Sequence, residues 1–266
     1  MSVLTLSPGQ IDLWLSCYDE IDDAGLLESY GQMLAPEESE QQRRFYFADD
    51  RQRYLVTRAL VRVVLSRYAH IRPRDWIFSA NRYGRPEIAN AEAASLGLSF
   101  NISHTRGLIA LGITKHRMLG IDIENTATRR VSLDIAGQFF SPVEAGALVR
   151  MPAHLQHQRF FEFWTFKEAY IKARGMGLSL PLDRFSFEFS RDHTIDLTVD
   201  PELKDEGARW ELWQFRPTEQ CLLAICAERS EGCTSDFRFR KVVPGVREEM
   251  VALQSTKTSL NVGRNR

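Results

Sequence analysis

Several things are scarce in this 266-residue chain, and each scarcity removes a class of explanation. Cysteine occurs four times, at Cys17, Cys221, Cys226 and Cys233, with no C-x-x-C pair and no cluster with histidine. That usage argues against a zinc site and a disulfide framework and fits a reducing cytosol. No apolar run approaches the roughly 18 residues that cross a bilayer. The start, MSVLTLSPGQIDLW, lacks the basic residues and apolar core of a secretory leader, so a cytoplasmic location without a membrane span is expected. Net charge is nearly absent as well: 34 Lys+Arg against 35 Asp+Glu give no support for a nucleic-acid coat. Lysine itself is rare, six against 28 arginines, so a lysine beside other chemically active residues stands out.

What is present is a globular composition, 44% hydrophobic, long enough for one large domain or two small ones. The run 11–21 alternates Ile11, Leu13 and Leu15 with other residues and reads as a strand. A helix starting at Pro36 and a long one over 50–68 follow, the latter with an apolar stripe of Leu55, Ala59, Leu60, Val63 and Val64, and with Arg51, Arg58 and Arg62 pointing elsewhere. Strand-like runs come next at 77–81, 98–103 and 108–114. The second half repeats this order: a strand at 119–124, helices near 133–139 and from Ser141, a long helix over 157–174, then strand-like runs at 185–189, 209–215 and 220–227. No residue-level repeat accompanies the repeated order. It predicts an α+β fold of two pseudo-symmetric halves, 1–118 and 119–243, with a ligand in the cleft between them and a frayed polar tail over 244–266. Internal duplication that substitutes for dimerisation makes a monomer the expected state.

Three stretches bear on chemistry. In GIDIEN (120–125), Asp122 and Glu124 are two apart on a strand and project from one face, while Ile121 and Ile123 enter the core. Two carboxylates so close repel unless a cation sits between them, and without His or Cys alongside the natural candidate is a hard oxygen-seeking ion such as Mg²⁺. A lone D-x-E also fits solvated acids on an exposed sheet face. In FFEFWTFKEAYIKARGMG (160–177), Glu168 and Lys172 share a helix face, either as an ordinary i,i+4 ion pair or as a third carboxylate and an ammonium for phosphate chemistry. In FNISHTRG (100–107), Asn101 and Ser103 face one side of a strand, and His104, Thr105 and Arg106 crowd the turn, where they could donate to a phosphate or simply be exposed.

Taken in order, FNISHTRG, GIDIEN, FFSPVE, FWTFKEAYIK and GMGLSLPLDRFSF, with DDRQRYLVTRALVRVVLSRY and NRYGRPEI upstream, resemble the Sfp-type 4′-phosphopantetheinyl transferases. These blocks cover most of residues 43 to 189. The resemblance implies two pseudo-symmetric α+β halves enclosing coenzyme A. The implied reaction is Mg²⁺-dependent transfer of phosphopantetheine to a serine hydroxyl of an acyl or peptidyl carrier protein, with release of 3′,5′-ADP. It implies Asp122, Glu124 and Glu168 as Mg²⁺ ligands, and Arg53, Arg85, Ser103 and His104 as contacts to the phosphates of coenzyme A. Lys172 becomes a cation near the pyrophosphate. Glu168, Lys172 and His104 are the implied catalytic groups, Glu168 as proton acceptor and the other two beside the departing phosphate. Glu144 is either an acid near the metal or the glutamate of a capping box begun by Ser141. Two rival readings use the same residues: a divalent-metal nuclease or phosphodiesterase, and a coenzyme A or carrier-binding module without chemistry.

Overall fold

Residues 3–128, 136–191, 193–230 and 232–259 are described in the computed structural model. The helices are α1 (Ala24–Gly31), α2 (Pro36–Arg44), α3 (Ala48–Leu65), α4 (Ala136–Phe139), α5 (Pro142–Arg150) and α6 (Ala153–Arg174). The strands are β1 (Gln10–Ser16), β2 (Phe78–Ala80), β3 (Pro86–Ile88), β4 (Leu98–Thr105), β5 (Leu108–Lys115), β6 (Leu119–Asn125), β7 (Phe185–Arg191), β8 (Thr194–Val199), β9 (Trp210–Thr218), β10 (Cys221–Glu228), β11 (Asp236–Val243), β12 (Arg247–Val251) and β13 (Ser255–Ser259). The chain divides into two compact units: Met1–Asn81, Pro86–His116 and Gly232–Ala252 in the first, and Arg82–Arg85, Arg117–Glu231 and Leu253–Arg266 in the second. The α+β class matches the expectation, and each unit runs strand, helices, long helix, strands.

The first unit is built on a five-stranded sheet ordered β12-β11-β1-β5-β4. β1 lies in its middle, parallel to β11 and antiparallel to β5, so all seven of its residues are buried rather than alternating. Of the polar residues this places inside, the charged one, Asp12, accepts from Gln10 Nε2 at 2.6 Å, the Tyr68 hydroxyl and Arg240 Nη1 at 3.0 Å. Burial, with the Asp12 charge adding, pushes the Tyr68 phenol well above the usual range. α3 covers this sheet with Val56, Ala59, Leu60 and Val64, close to the expected stripe. Arg62, expected on the other side, is buried instead. Its guanidinium donates to Glu38 at 2.6 Å and the Trp76 carbonyl at 2.7 Å, which compensates the charge.

The second unit holds a six-stranded sheet ordered β6-β10-β9-β13-β8-β7 with α6 packed on β6 and β10. Twenty-two residues long, α6 buries Phe160, Phe161, Phe163, Phe166, Ala169, Tyr170 and Ala173, and it stops at Gly175, whose φ of 63° is the left-handed cap that glycine adopts freely. The expected helix near 133–139 is described only from Ala136; 133–135 lie outside the described residues.

The stretch 244–259, expected as a frayed tail, forms β12 and β13. β12 is an exposed edge strand on β11, and β13 is inserted between β9 and β8. Neither shows the apolar alternation that marks a strand in sequence, because an edge strand needs no apolar face and β13 gains its place from main-chain pairing. Lys257 adds an ion pair to Glu162 on α6 at 3.4 Å, and Ser259 Oγ accepts from the Leu212 amide at 3.1 Å.

Gly120 sets the distance between β6 and α6. A Cβ there would lie 2.0 Å from the Ala169 carbonyl oxygen and 2.3 Å from the Ala173 nitrogen, so only glycine lets the strand slide under the helix at its alanine row. Gly120→Ala should therefore force α6 off the sheet and cost at least about 3 kcal/mol, the upper end of ordinary overpacking. Chemical denaturation measures this; a change below about 0.5 kcal/mol, the level of an inert surface substitution, would contradict it.

Candidate active site

On β6, Gly120, Asp122 and Glu124 are spaced two apart and share the face that also presents Ala224 and Leu222 of β10, their partners in register. That face is covered by α6. On α6, Ala169 and Ala173 form one i,i+4 row, and Glu168 and Lys172 form the row beside it. Gly120 meets the first row, so Asp122, one step along the same face, meets the second. Lys172 Nζ donates to Asp122 Oδ1 at 2.6 Å; the aspartate is buried and the lysine half-buried. Burial pushes the Glu168 carboxyl above its ordinary range, the neighbouring Asp122 charge adds to this, and Lys172 opposes it. The helix i,i+4 relation of Glu168 and Lys172 thus comes with a strand carboxylate beside both. Glu124 stands two residues beyond Asp122, opposite Leu222, and its charge adds to the burial that raises the nearby Cys221 thiol.

Arg85 was expected at a phosphate. Its Nη1 donates to the carbonyls of Lys172 at 2.8 Å and Ala173 at 3.1 Å, and Nη2 donates to the Leu119 carbonyl at 3.2 Å. The cation sits at the C-terminal end of α6, where orphan carbonyls and the helix dipole favour it, and it ties that end to the start of β6. Arginine's planar fork suits this three-carbonyl clamp.

The two roles left open for Glu144 separate clearly. Ser141 and Glu144 make the reciprocal capping box of α5, with Ser141 N donating to Glu144 Oε2 at 2.9 Å. The same carboxylate accepts from Phe187 N at 2.9 Å and pairs with Lys167 Nζ at 2.7 Å, both side chains being 0% exposed. Lys167 also donates to the carbonyls of Leu182 at 2.6 Å and Phe185 at 2.9 Å, so all three of its protons are used. Burial pushes Glu144 up and Lys167 down, and their mutual attraction opposes both shifts. Glu144 is an anchor joining α5, α6 and β7. Of the two lysines in FWTFKEAYIK, one locks the helix and the other faces Asp122.

Arg53, Ser103 and His104 belong to the first unit. Arg53 pairs with Asp50 one helical turn earlier on α3 at 2.6 Å, half-buried, and a hydrogen bond from it lowers the Tyr18 phenol, which burial raises overall. β4 extends to Thr105, so Ser103 and His104 are consecutive strand residues and their side chains leave on opposite faces, Ser103 buried and His104 exposed. The tight turn is Arg106-Gly107, with Gly107 at φ 84°. The structure therefore brings together Asp122, Glu168 and Lys172, with Arg85 at their base.

Among the described residues no three His, Cys, Asp or Glu side chains converge closely enough to hold a metal ion. The chemistry of the β6 face still suits a hard cation: it presents carboxylate oxygens only, and the ammonium of Lys172 already stands as a cation on one of them.

Known proteins share this arrangement of sequence. Residues 118–226 match the family described as the 4′-phosphopantetheinyl transferase superfamily, and 24–115 match the family described as 4′-phosphopantetheinyl transferase, N-terminal. The chain is 35% identical over 200 residues to 4′-phosphopantetheinyl transferase Sfp of Bacillus subtilis (strain 168), covering 75% of this chain and 84% of that protein. It is 34% identical over 198 residues to 4′-phosphopantetheinyl transferase ffp of Bacillus subtilis, covering 74% and 84%.

The chain belongs to the 4′-phosphopantetheinyl transferase superfamily.

It is similar as well to 4′-phosphopantetheinyl transferase HetI of Nostoc sp. (strain PCC 7120 / SAG 25.82 / UTEX 2576), 29% identical over 222 residues, 84% of this chain and 89% of that one. Both matched regions stop short of β11, β12 and β13, so each sheet of this transferase is completed by strands outside them. Two features of the site escaped the sequence reading: the role of Gly120, whose signal was a glycine two residues before the D-x-E pattern and so on the same strand face, and the Glu144–Lys167 anchor, which joins residues 23 apart and has no local signature. Lys167→Met would leave the Glu144 charge buried and uncompensated, with an expected loss of about 3–5 kcal/mol in unfolding free energy. Thermal or urea unfolding reads this directly, and wild-type stability in the variant would refute the anchoring role.

Proposed function

We propose that this transferase moves the 4′-phosphopantetheine group of coenzyme A onto a serine hydroxyl of an acyl or peptidyl carrier protein, with Mg²⁺, releasing 3′,5′-ADP. The observation that supports this most is the contact of Lys172 with Asp122 beside the raised carboxyl of Glu168, on residues inside the matched transferase region.

Asp122, Glu124 and Glu168 would hold the Mg²⁺. When bound there, it supplies charge neutralisation at diphosphate oxygens. In the proposed step the serine oxygen forms a bond to the phosphorus that bears pantetheine, and the bond from that phosphorus to the oxygen of the ADP phosphate breaks. The serine proton passes to Glu168 or to a water that Glu168 orients. Lys172 meets the negative charge growing on the departing phosphate oxygen, and His104 is the proposed second donor to it. Arg53 and Ser103 are proposed contacts to the other phosphates. Arg85, clamped to the carbonyls of Lys172 and Ala173, is assigned to holding the lysine-bearing turn and adding positive potential there. No enzyme nucleophile is needed, since the acceptor alcohol attacks directly. No helix among the described residues is long and apolar enough to cross a membrane, in keeping with soluble partners and the proposed cytoplasmic location, and a monomer is the proposed state.

Intact-mass measurement of a carrier protein incubated with enzyme, coenzyme A and Mg²⁺ tests the activity. The expected result is one added phosphopantetheine per carrier; an unmodified carrier alongside nucleic-acid cleavage would favour the nuclease reading. For the base role, Glu168→Gln should slow single-turnover modification by about 10²–10⁴-fold while metal-independent binding of coenzyme A changes only severalfold. Lost binding with little lost turnover per bound complex would reject that role.

A further inference from the structure

Lys172 is committed to Asp122, yet the proposed reaction requires both elsewhere: the carboxylate toward a divalent cation and the ammonium toward a diphosphate. At 2.6 Å from Asp122 Oδ1, the ammonium holds an oxygen the metal would use, and two cations crowded on one carboxylate repel. Which part can give way is visible in the packing. The backbone of Lys172 is held by Arg85 on its carbonyl and by the Gly120 contact with Ala169 and Ala173 on either side of it. Asp122 sits on a strand paired along its length with β10, and its side chain is buried. The lysine side chain is half-buried on a flexible four-carbon stem, so it can re-aim without moving helix or strand. Arg85, the other cation at this end of α6, is fixed by three backbone carbonyls and keeps its place.

We infer that Lys172 is an exchangeable counter-ion of the acid face: it competes with the divalent metal for Asp122, and the diphosphate of the nucleotide relieves that competition by drawing the ammonium away. The inference rests on the reading of Asp122, Glu124 and Glu168 as the metal-binding acids, and it adds a rule for how the site is loaded. Metal alone must break the Lys172–Asp122 pair and binds weakly. Nucleotide gives the ammonium a new anionic partner and frees the carboxylate, so metal then binds more tightly. Linkage makes the effect reciprocal, metal tightening nucleotide by the same factor. The residue that serves the leaving phosphate thus also makes metal capture conditional on substrate.

Mn²⁺ binding, followed by electron paramagnetic resonance with and without coenzyme A, tests this in wild type, Lys172→Met, Lys172→Gln and Lys172→Arg. Without nucleotide, the Met and Gln variants should bind Mn²⁺ about five- to tenfold more tightly than wild type, in the range of ordinary coupling effects; the Arg variant, which keeps a cation for Asp122, should not. With coenzyme A present that advantage should shrink to within about twofold, because the wild-type ammonium has left Asp122. An advantage that persists undiminished with nucleotide would mean only a through-space loss of charge and would overturn the exchange. So would Met and Gln variants, both folded by circular dichroism, with wild-type or weaker Mn²⁺ affinity. Binding abolished by Asp122→Asn but indifferent to Lys172 would reject the exchange and leave the proposed function standing. No Mn²⁺ binding in wild type even with coenzyme A would remove the metal reading and this inference together.

Discussion

Everything at the candidate site depends on how closely β6 approaches α6. A strand and a helix normally stay about 10 Å apart because side chains stand between them. Here one position has no side chain: Gly120 lies against the backbone at Ala169 and Ala173, themselves the smallest residues that keep good helix propensity. The approach turns sequence spacing into geometry. Two residues along the strand, Asp122 is level with the neighbouring helix row, and Lys172 reaches it at 2.6 Å with Glu168 one turn away. Arg85 closes the same junction from below by joining the end of α6 to the first carbonyl of β6.

Rigidity around this junction is distributed over charges that do no chemistry. The fully buried Glu144–Lys167 pair locks the residue preceding Glu168, so the rotation of α6, and with it the direction of Glu168, is set by an ion pair about 100° around the helix from it. Further along, Asp205 accepts from Tyr170 at 2.7 Å, Arg174 at 2.7 Å and Trp210 at 2.8 Å; although burial works against its charge, these donors hold the carboxyl below its usual range. A charge buried with every hydrogen bond satisfied specifies one geometry, since any shift would leave it uncompensated. Lys172 differs from these groups in being half-buried rather than fully enclosed.

Much of this was legible in the sequence, and the successes and failures have physical reasons. The helices α2, α3, α5 and α6 announce themselves by caps and apolar spacing, and the D-x-E strand and the E-x-x-x-K helix state their own local geometry through periods of two and 3.6. The run 11–21 was read too long, because Cys17 to Glu20 continue the composition of a strand while the chain already turns. The polar faces of β1 and the arginine of α3 were misjudged for one reason: Asp12 and Arg62 are buried through partners 56 and 24 residues away in sequence, Tyr68 and Glu38, which no local window contains. β13 was missed because its place between β9 and β8 is decided by main-chain pairing with distant strands. At the site itself, residue types and proximity within one unit were readable from spacing, and so was the capping box of Ser141 and Glu144, whereas the Arg85 contacts to α6 and the Glu144–Lys167 pair were not, since they rest on carbonyls and on a residue 23 positions away that a local pattern does not display.

The most direct measurement is a crystal structure of the wild-type protein with coenzyme A and Mn²⁺, located by its anomalous signal. The account predicts an anomalous peak within coordination distance of Asp122 and Glu168 carboxylate oxygens, diphosphate oxygens completing its shell, and Lys172 Nζ moved from Asp122 to the phosphate. A peak and a diphosphate bound away from these carboxylates, with Lys172 still on Asp122, would contradict it.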